Sequence, residues 1–291
     1  MFVIRYKNYF YALSAILLLI AFYAFWQIGF TQSVEFAGGS LMEIQYEISP
    51  PKVEEIRASL TEDKFKGIDA LKSLTVQQTY ANKFLLRFGE VDEKTHQEII
   101  GALKGGKELQ FQSIGPVVGS ELRQKTIMAL VGAVIAMFVY VTFAFRKVPK
   151  EISSWRMGVA AIITLLHDVI IAAGGFVIFS HYYGFEVGTL FVAAELTIWG
   201  YSINDTIVVF DRVRENLLRE GKKSLAEITG ASLEQTMGRS INTSLTVLLF
   251  VVVLFAFGPE PLLPFVAPLL VGVIVGTYSS IFLAVPLLLE S

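Results

Sequence analysis

The chain has no cysteine, only three histidines and few charges: 17% of its 291 residues are Asp, Glu, Lys or Arg. Without cysteine it is not a small secreted module stapled by disulfides, and its redox compartment cannot be read. With so little charge it is no disordered tail, and a formal net charge of -2 gives no reason to expect a nucleic-acid partner. What it has instead is apolar side chains, 54% of the total. They gather into runs of about 20 residues, each enough to cross ~30 Å of hydrocarbon as helix. The composition is that of an integral membrane protein.

Six stretches pass the length and apolarity test: residues 9–28, 126–145, 157–180, 187–210, 240–258 and 263–289. They divide the chain into 1–28, an N-terminus and first span; 29–125, a polar inserted domain; and 126–291, a bundle of five further spans containing a charged loop, 211–239. Arg5 and Lys7 precede the first span, and further Lys and Arg cluster in 146–156 and 212–239. The short connections 181–186 and 259–262 have none. The positive-inside rule therefore puts both termini in the cytoplasm and the 29–125 domain outside. The first span is no cleaved signal, because Phe25-Trp26-Gln27-Ile28 is a bulky aromatic exit where a signal peptide needs small residues.

Within the inserted domain, patterning predicts a strand at 41–47, a helix at 51–60, strands at 73–80 and 83–88, a helix at 92–104 and a strand at 108–114. Pro50-Pro51 marks a helix start and Ala81-Asn82 a tight turn. The βαββαβ order is that of a ferredoxin-like α+β fold attached to an all-α membrane bundle. His96, on a helix among acids, reads as a surface residue, and no metal site is expected. The domain reads as a small binding or interaction module.

Polar groups inside the spans are the informative residues, since a mid-membrane charge costs roughly 2.5–3.5 kcal/mol even on the lenient scale. They are His167 and Asp168 in the third span, Glu195, Asn204 and Asp205 in the fourth, and Arg239, Asn242 and Thr243 opening the fifth. Thr197, Tyr201 and Asp205 recur at helical spacing as one polar stripe; Arg239, Asn242, Thr243 and Thr246 form another. If the stripes meet, Asp205 and Arg239 pair. Burial favours the neutral carboxyl of Asp205 and a nearby arginine favours the charged one, so the pair reads either as a proton carrier or as a static ion pair. His167-Asp168 reads equally as a relay or as structural hydrogen bonding. Gly174-Gly175 and the Gly272, Gly276 spacing mark close helix packing, and Pro264, Pro268 and Pro286 interrupt the last span.

Five segments together become specific: Val34-Glu35-Phe36-Ala37-Gly38-Gly39, Leu166-His167-Asp168-Val169, the stretch Gly200-Tyr201-Ser202-Ile203-Asn204-Asp205-Thr206, Gly238-Arg239-Ser240-Ile241-Asn242-Thr243-Ser244, and Gly276-Thr277-Tyr278-Ser279-Ser280. In this order, on six spans with a large domain after the first, they resemble the SecF family. The resemblance covers essentially the whole chain. It implies a non-enzymatic role in protein export in a bacterial-type inner membrane. The partners would be SecD, the SecYEG channel and the translocating preprotein, in an RND-like arrangement. It also implies proton flow as the energy source, with sodium as the alternative ion, no cofactor, and ATP-driven pushing left to SecA. By resemblance the proton-coupling residues are Asp205 and Arg239, with His167, Asp168, Tyr201, Asn204, Asn242 and Thr243 as auxiliary relay candidates. Two departures stand out. Glu35 and Ala37 replace the family's usual aspartate and threonine. Glu195 sits where an apolar residue is expected, and reads as a lineage-specific polar contact in preference to an extra proton site.

Three rivals remain open. An intramembrane aspartyl protease would use Asp168 and Asp205 as a dyad, but the span lacks Gly-x-Gly-Asp. Half of an RND exporter would move small molecules or lipids without SecYEG. A purely structural subunit would tolerate Asp205→Asn.

Overall fold

A computed structural model of the chain describes residues 2–47, 50–61, 65, 67–78, 82–148, 152–219 and 223–290. In chain order the elements are α1 (Phe2–Arg5), α2 (Lys7–Gln27), α3 (Val34–Ala37), β1 (Gly39–Tyr46), α4 (Val53–Ser59), β2 (Thr75–Gln78), β3 (Lys83–Phe88), α5 (Glu93–Ala102) and β4 (Gly106–Ile114). The long helices α6 (Pro116–Ala144), α7 (Ser154–Tyr183), α8 (Thr189–Arg219), α9 (Leu225–Phe257) and α10 (Leu263–Ser279) follow, and the C-terminal α11 (Val285–Glu290) comes last. The fold is thus mostly helical with one small antiparallel sheet.

Among the described residues five helical segments are long and apolar enough to cross a membrane: Lys7–Gln27, Pro116–Ala144, Ser154–Tyr183, Leu225–Phe257 and Glu260–Glu290. Helix α8 covers the fourth expected span in 31 residues but is too polar to join them, because Glu195, Asn204 and Asp205 interrupt its apolar run. Helix lengths also depart from span lengths, since apolarity measures membrane thickness and capping measures the helix. Pro116 opens α6 well before residue 126, at a helix position where its missing N–H costs nothing. A capping box opens α9 at Leu225: the Ser224 hydroxyl accepts from Glu227 N–H and the Glu227 carboxylate accepts from Ser224 N–H. Most of the expected loop 211–239 is therefore helix, with 220–222 outside the described residues. The last span is not one continuous α-helix. A π turn, Ser280–Ala284, separates α10 from α11, and Pro286 follows at once with no N–H for the Phe282 carbonyl.

The chain forms two compact units, one of Met1–Phe30, Met128–His181 and Leu190–Ser291, the other of Thr31–Ile127 and Tyr182–Thr189. In the second unit the sheet order is β2-β3-β1-β4, every pair antiparallel, with a bulge in β4 at Leu109, opposite Glu43 and Ile44 of β1. Alternation puts Met42, Ile44, Phe84 and Leu86 on one face, where they pack with Ile56 of α4 and Ile99 of α5. The expected strand 73–80 begins only at Thr75, because Asp69–Ser73 is a 3-10 turn. Thr79, Tyr80 and Ala81 lie outside the described residues, while Asn82 has the positive φ of 59° that a tight turn needs. His96 is not a surface residue: it is 5% exposed, its ring stacks on Phe111 at 3.6 Å, and its Nε2 lies 2.8 Å from Glu108. One turn from Ile99, it occupies the sheet-facing side of α5, where the neighbouring acid of β4 satisfies it.

Gly38 and Gly39 have φ of 75° and 112°, and an added Cβ would lie 2.6 Å from Pro116 Cα and 2.8 Å from the Phe88 carbonyl oxygen. Gly39→Ala is therefore expected to cost on the order of 1–3 kcal/mol locally. Hydrogen exchange of the full chain should read this as about ten- to hundredfold faster exchange of the β1–β3 amides. Unchanged protection would show that the glycines are not constrained.

The segment after α2 also ties down the α7–α8 connection within this unit. Ser33 N–H donates to the Val187 carbonyl at 3.0 Å and Val187 N–H to Thr31 at 2.8 Å. The Glu35 carboxylate accepts from Thr189 N–H at 2.6 Å and from its hydroxyl at 3.1 Å, capping the start of α8 with a negative charge. Glu186 pairs with Arg87 of β3; burial pushes its carboxyl above the usual range, although the guanidinium opposes this. Glu35→Ala should cost about 1 kcal/mol at the helix start, visible as faster exchange of the Thr189 amide, with the centre of α8 unaffected. Equal exchange in both proteins would dismiss the cap.

In the first unit, close helix approach follows the expected glycines. A Cβ on Gly174 would sit 2.5 Å from Ala21 Cβ, one on Gly175 2.7 Å from Val271, and one on Gly272 2.5 Å from Ile198.

Candidate functional site

Two aspartates of the membrane unit are buried, and serines hold them. Asp168 of α7, wholly buried, accepts from Ser202 Oγ of α8 at 2.6 Å and from Ser279 Oγ of α10 at 2.7 Å through its Oδ2. Its Oδ1 lies 2.9 Å from His167 Nδ1. Asp205 of α8, 8% exposed, accepts from Ser240 Oγ of α9 at 2.6 Å and, through its other oxygen, from Ser280 Oγ. Adjacent residues at the junction of α10 and the π turn thus each serve one aspartate. Gly276 lies beside this pair, where an added Cβ would be 3.4 Å from Ser202 Cβ and 3.7 Å from Asp168 Oδ2, in ordinary van der Waals contact.

Each α10 serine has a second acceptor. Ser279 Oγ is 3.1 Å from the Gly276 carbonyl and Ser280 Oγ 3.1 Å from the Thr277 carbonyl. Either hydroxyl can release its aspartate without becoming an orphaned buried donor. A carboxylate with two hydroxyl donors is held as an acceptor. Where each oxygen has its own serine, as at Asp205, a proton taken up by one oxygen turns the hydroxyl hydrogen of that oxygen's serine away, and for Ser280 the Thr277 carbonyl is there to receive it.

The candidates from sequence separate into two groups. His167, Asp168 and Asp205 are buried, and Tyr201 joins the network by donating to Ser244 Oγ at 2.6 Å, which in turn donates to the Ser240 carbonyl at 2.7 Å. Arg239, Asn204, Asn242 and Thr243 are exposed on the isolated chain. Arg239 lines a cavity of about 400 Å³ with Val208, Asp211, Arg212, Glu215 and Thr236. Asp205 has serine partners, and among the described residues no ion pair joins it to Arg239. The expected stripe on α8 splits likewise: Thr197 is exposed and bonds its own helix at Ala193, while Asp205 points inward. The residues that sequence reasoning missed are Ser202, Ser240, Ser279 and Ser280. All four lie in the segments singled out above, so the signal was present, but a serine in a membrane helix usually bonds its own backbone.

Glu195, 4% exposed in α8, has neither oxygen in hydrogen-bond contact. The indole N–H of Trp199, one turn along, is likewise without an acceptor at hydrogen-bond geometry. The polar neighbour of Glu195 is thus the Trp199 indole N–H, which approaches it short of hydrogen-bond geometry.

Residues 97–291 match the family model described as "Protein export membrane protein SecD/SecF, C-terminal". The chain is 38% identical to protein translocase subunit SecF of Thermobaculum terrenum, over 99% of this chain and 93% of that one. It is 36% identical to protein translocase subunit SecDF of Brucella abortus over 91% of its own length, which is 34% of that longer protein. The crystal structure of SecDF from Thermus thermophilus, a translocon-associated membrane protein, superposes with a TM-score of 0.83 at 33% identity, covering 99% of this chain and 38% of that one. The buried aspartates, their serines and Arg239 all fall within the matched region, and the chain belongs to the SecD/SecF family of protein export membrane proteins.

Proposed function

We propose that the chain works as the SecF half of a SecD–SecF pair, coupling proton flow to late translocation and release of preproteins from SecYEG. The observation that carries this is Asp205: a buried carboxylate on α8 seated by one serine of α9 and one of the α10 π turn. When Asp205 takes a proton, the Ser280 hydroxyl turns to the Thr277 carbonyl, the three helices lose their shared anchor, and they reorient. A proton crossing 100 mV supplies about 2.3 kcal/mol, enough to shift a two-state element by tens-fold. Protons rank ahead of sodium, and no cofactor is called for.

The exposed polar residues of α8 and α9 support a protein partner at this face, because lipid does not accommodate Arg239 or Asn204 at membrane depth. Relatives named SecDF, in which a chain like this one is about a third of the length, support SecD as that partner and as the source of a counter-charge for Arg239. In this reading α8 is the fourth of six spans, with Glu195 and Asp205 turned inward and Asn204 toward the partner. The chain then divides into 1–28, 29–125 and 126–291, with both termini and residues 211–239 cytoplasmic. The 29–125 domain, whose β2-β3-β1-β4 order fits a ferredoxin-like fold, lies outside the inner membrane and moves with the helices. The test is preprotein translocation into vesicles holding this chain, SecD and SecYEG, with and without a proton gradient, for wild type and Asp205→Asn. Loss of the gradient-dependent part supports the proposal, and its survival refutes it.

A further inference from the structure

Glu195 is the buried acid that the proposed coupling step leaves out. It lies ten residues before Asp205 on one continuous helix, about 15 Å along the axis. Its helical register aligns it with Trp199, Ser202 and Thr206, so it shares the inward face of α8 with the serine that donates to Asp168. Ile198 and Ser202 meet Gly272 and Gly276 of α10 in parallel register, which puts Glu195 level with Pro268 and Leu269. The cluster around Ile198 and Trp199 is wholly apolar, drawing Leu165 and Ala172 from α7, Val251 from α9, and Val266 and Leu269 from α10.

No cation is within the spans to balance a charge here. Residues 9–28, 126–145, 157–180, 187–210, 240–258 and 263–289 contain neither Lys nor Arg. Within those spans the ionisable groups of the packed helices are Tyr140 of α6, His167 and Asp168 of α7 and Tyr278 of α10, with Tyr201 and Asp205 further along α8 itself; Arg239 of α9 and Arg156 of α7 lie just outside the spans, at the end of the bundle away from Glu195. His167 is engaged with Asp168, and Tyr278 donates to the Phe10 carbonyl. An ionised Glu195 would thus have no cation to balance it, with the Trp199 indole N–H as its polar neighbour, whereas a protonated one carries a donor of its own. Pro268, which has no N–H, leaves the Pro264 carbonyl of α10 without its helical partner near this level. A protonated Glu195 has an O–H to offer such an acceptor, and an ionised one has none.

We infer that Glu195 is a second proton-binding carboxyl of this chain, loaded in the conformation described and emptied when the α8–α10 contact opens. Burial within the chain alone means that no partner is needed to hold the proton. The inference deepens the proton-coupling reading and rests on it for the emptying step. In this picture a proton occupies two stations on α8, Glu195 near the helix start and Asp205 three turns on.

The test uses the full chain with SecD and SecYEG in lipid, and two readouts. Infrared difference spectra of wild type against Glu195→Gln should show a protonated-acid carbonyl band that persists at neutral pH, where an ordinary glutamate is ionised. Gradient-driven translocation by Glu195→Gln should fall several-fold with the gradient-independent part unchanged, and Glu195→Asp should restore both the band and part of the stimulation. Absence of the band at neutral pH overturns the inference. So does a band that is present while Glu195→Gln translocates like wild type, since the proton would then be structural. If Asp205→Asn retains gradient stimulation, the coupling reading fails and the emptying step with it. If Asp205→Asn loses stimulation while either Glu195 criterion fails, only the second station is refuted.

Discussion

Asp205→Asn is expected to reduce translocation in the presence of a proton gradient to the level seen without one. The side chain keeps its size, and its amide oxygen still accepts from Ser240 or Ser280, so helix packing and association with SecD should persist. What is lost is titration. An amide neither accepts a proton from the gradient nor returns it, and the roughly 2.3 kcal/mol per 100 mV no longer reaches the α8–α9–α10 junction. The gradient's contribution, up to tens-fold per coupled step, should vanish, while gradient-independent translocation and protein abundance stay unchanged. Ser280→Ala should give an intermediate loss, because one donor remains on Asp205. Full stimulation in an assembled Asp205→Asn complex would leave Asp205 as a static hydrogen-bond acceptor.

The largest stability effect is expected at Asp168. Replacing it by alanine removes the acceptor for Ser202 and Ser279 and the partner of His167 Nδ1, all inside a fully buried site. Ser279 can fall back on the Gly276 carbonyl, but Ser202 and His167 lose the one side-chain hydrogen-bond partner each has among the described residues. The other ring nitrogen of His167, Nε2, has no hydrogen-bond partner among the described residues. With the cavity left behind, Asp168→Ala should cost about 2–5 kcal/mol, and Asp168→Asn less, because its amide oxygen keeps one acceptor role. Thermal unfolding of the purified chain in detergent measures this. A clear fall in the midpoint for alanine with partial recovery for asparagine marks Asp168 as structural. An unchanged midpoint accompanied by lost gradient stimulation would move it onto the proton route.

Much of the architecture was legible in the residues. Apolar runs located the five helical segments long and apolar enough to cross a membrane, the alternation of Met42, Ile44, Phe84 and Leu86 located the sheet, and the order β1-α4-β2-β3-α5-β4 followed from the pattern. Gly174, Gly175 and Gly272 marked close packing before any neighbour was known. The motif segments around Asp168, Asp205, Ser240 and Ser279 pointed to the right part of the bundle. Helix boundaries were less legible, because caps such as Ser224 with Glu227 extend helices beyond the membrane-length window.

What the sequence by itself determined, then, is which residues are helical, which segments form the sheet, and which polar groups are anomalous in a membrane. The tertiary structure alone decided their facing: Asp205 and Glu195 inward, Arg239 and Asn242 outward, and His96 into the sheet. It also decided that Asp205 takes serines 35 and 75 residues away as partners in place of the arginine on α9. The physical reason lies in the solvent. A soluble helix shows its buried face as an apolar stripe, but a membrane helix is apolar on nearly every side, so periodicity does not reveal which face meets protein. Only packing of the small residues and pairing of the polar ones, contributed by distant parts of the chain, fixes the rotation of each helix.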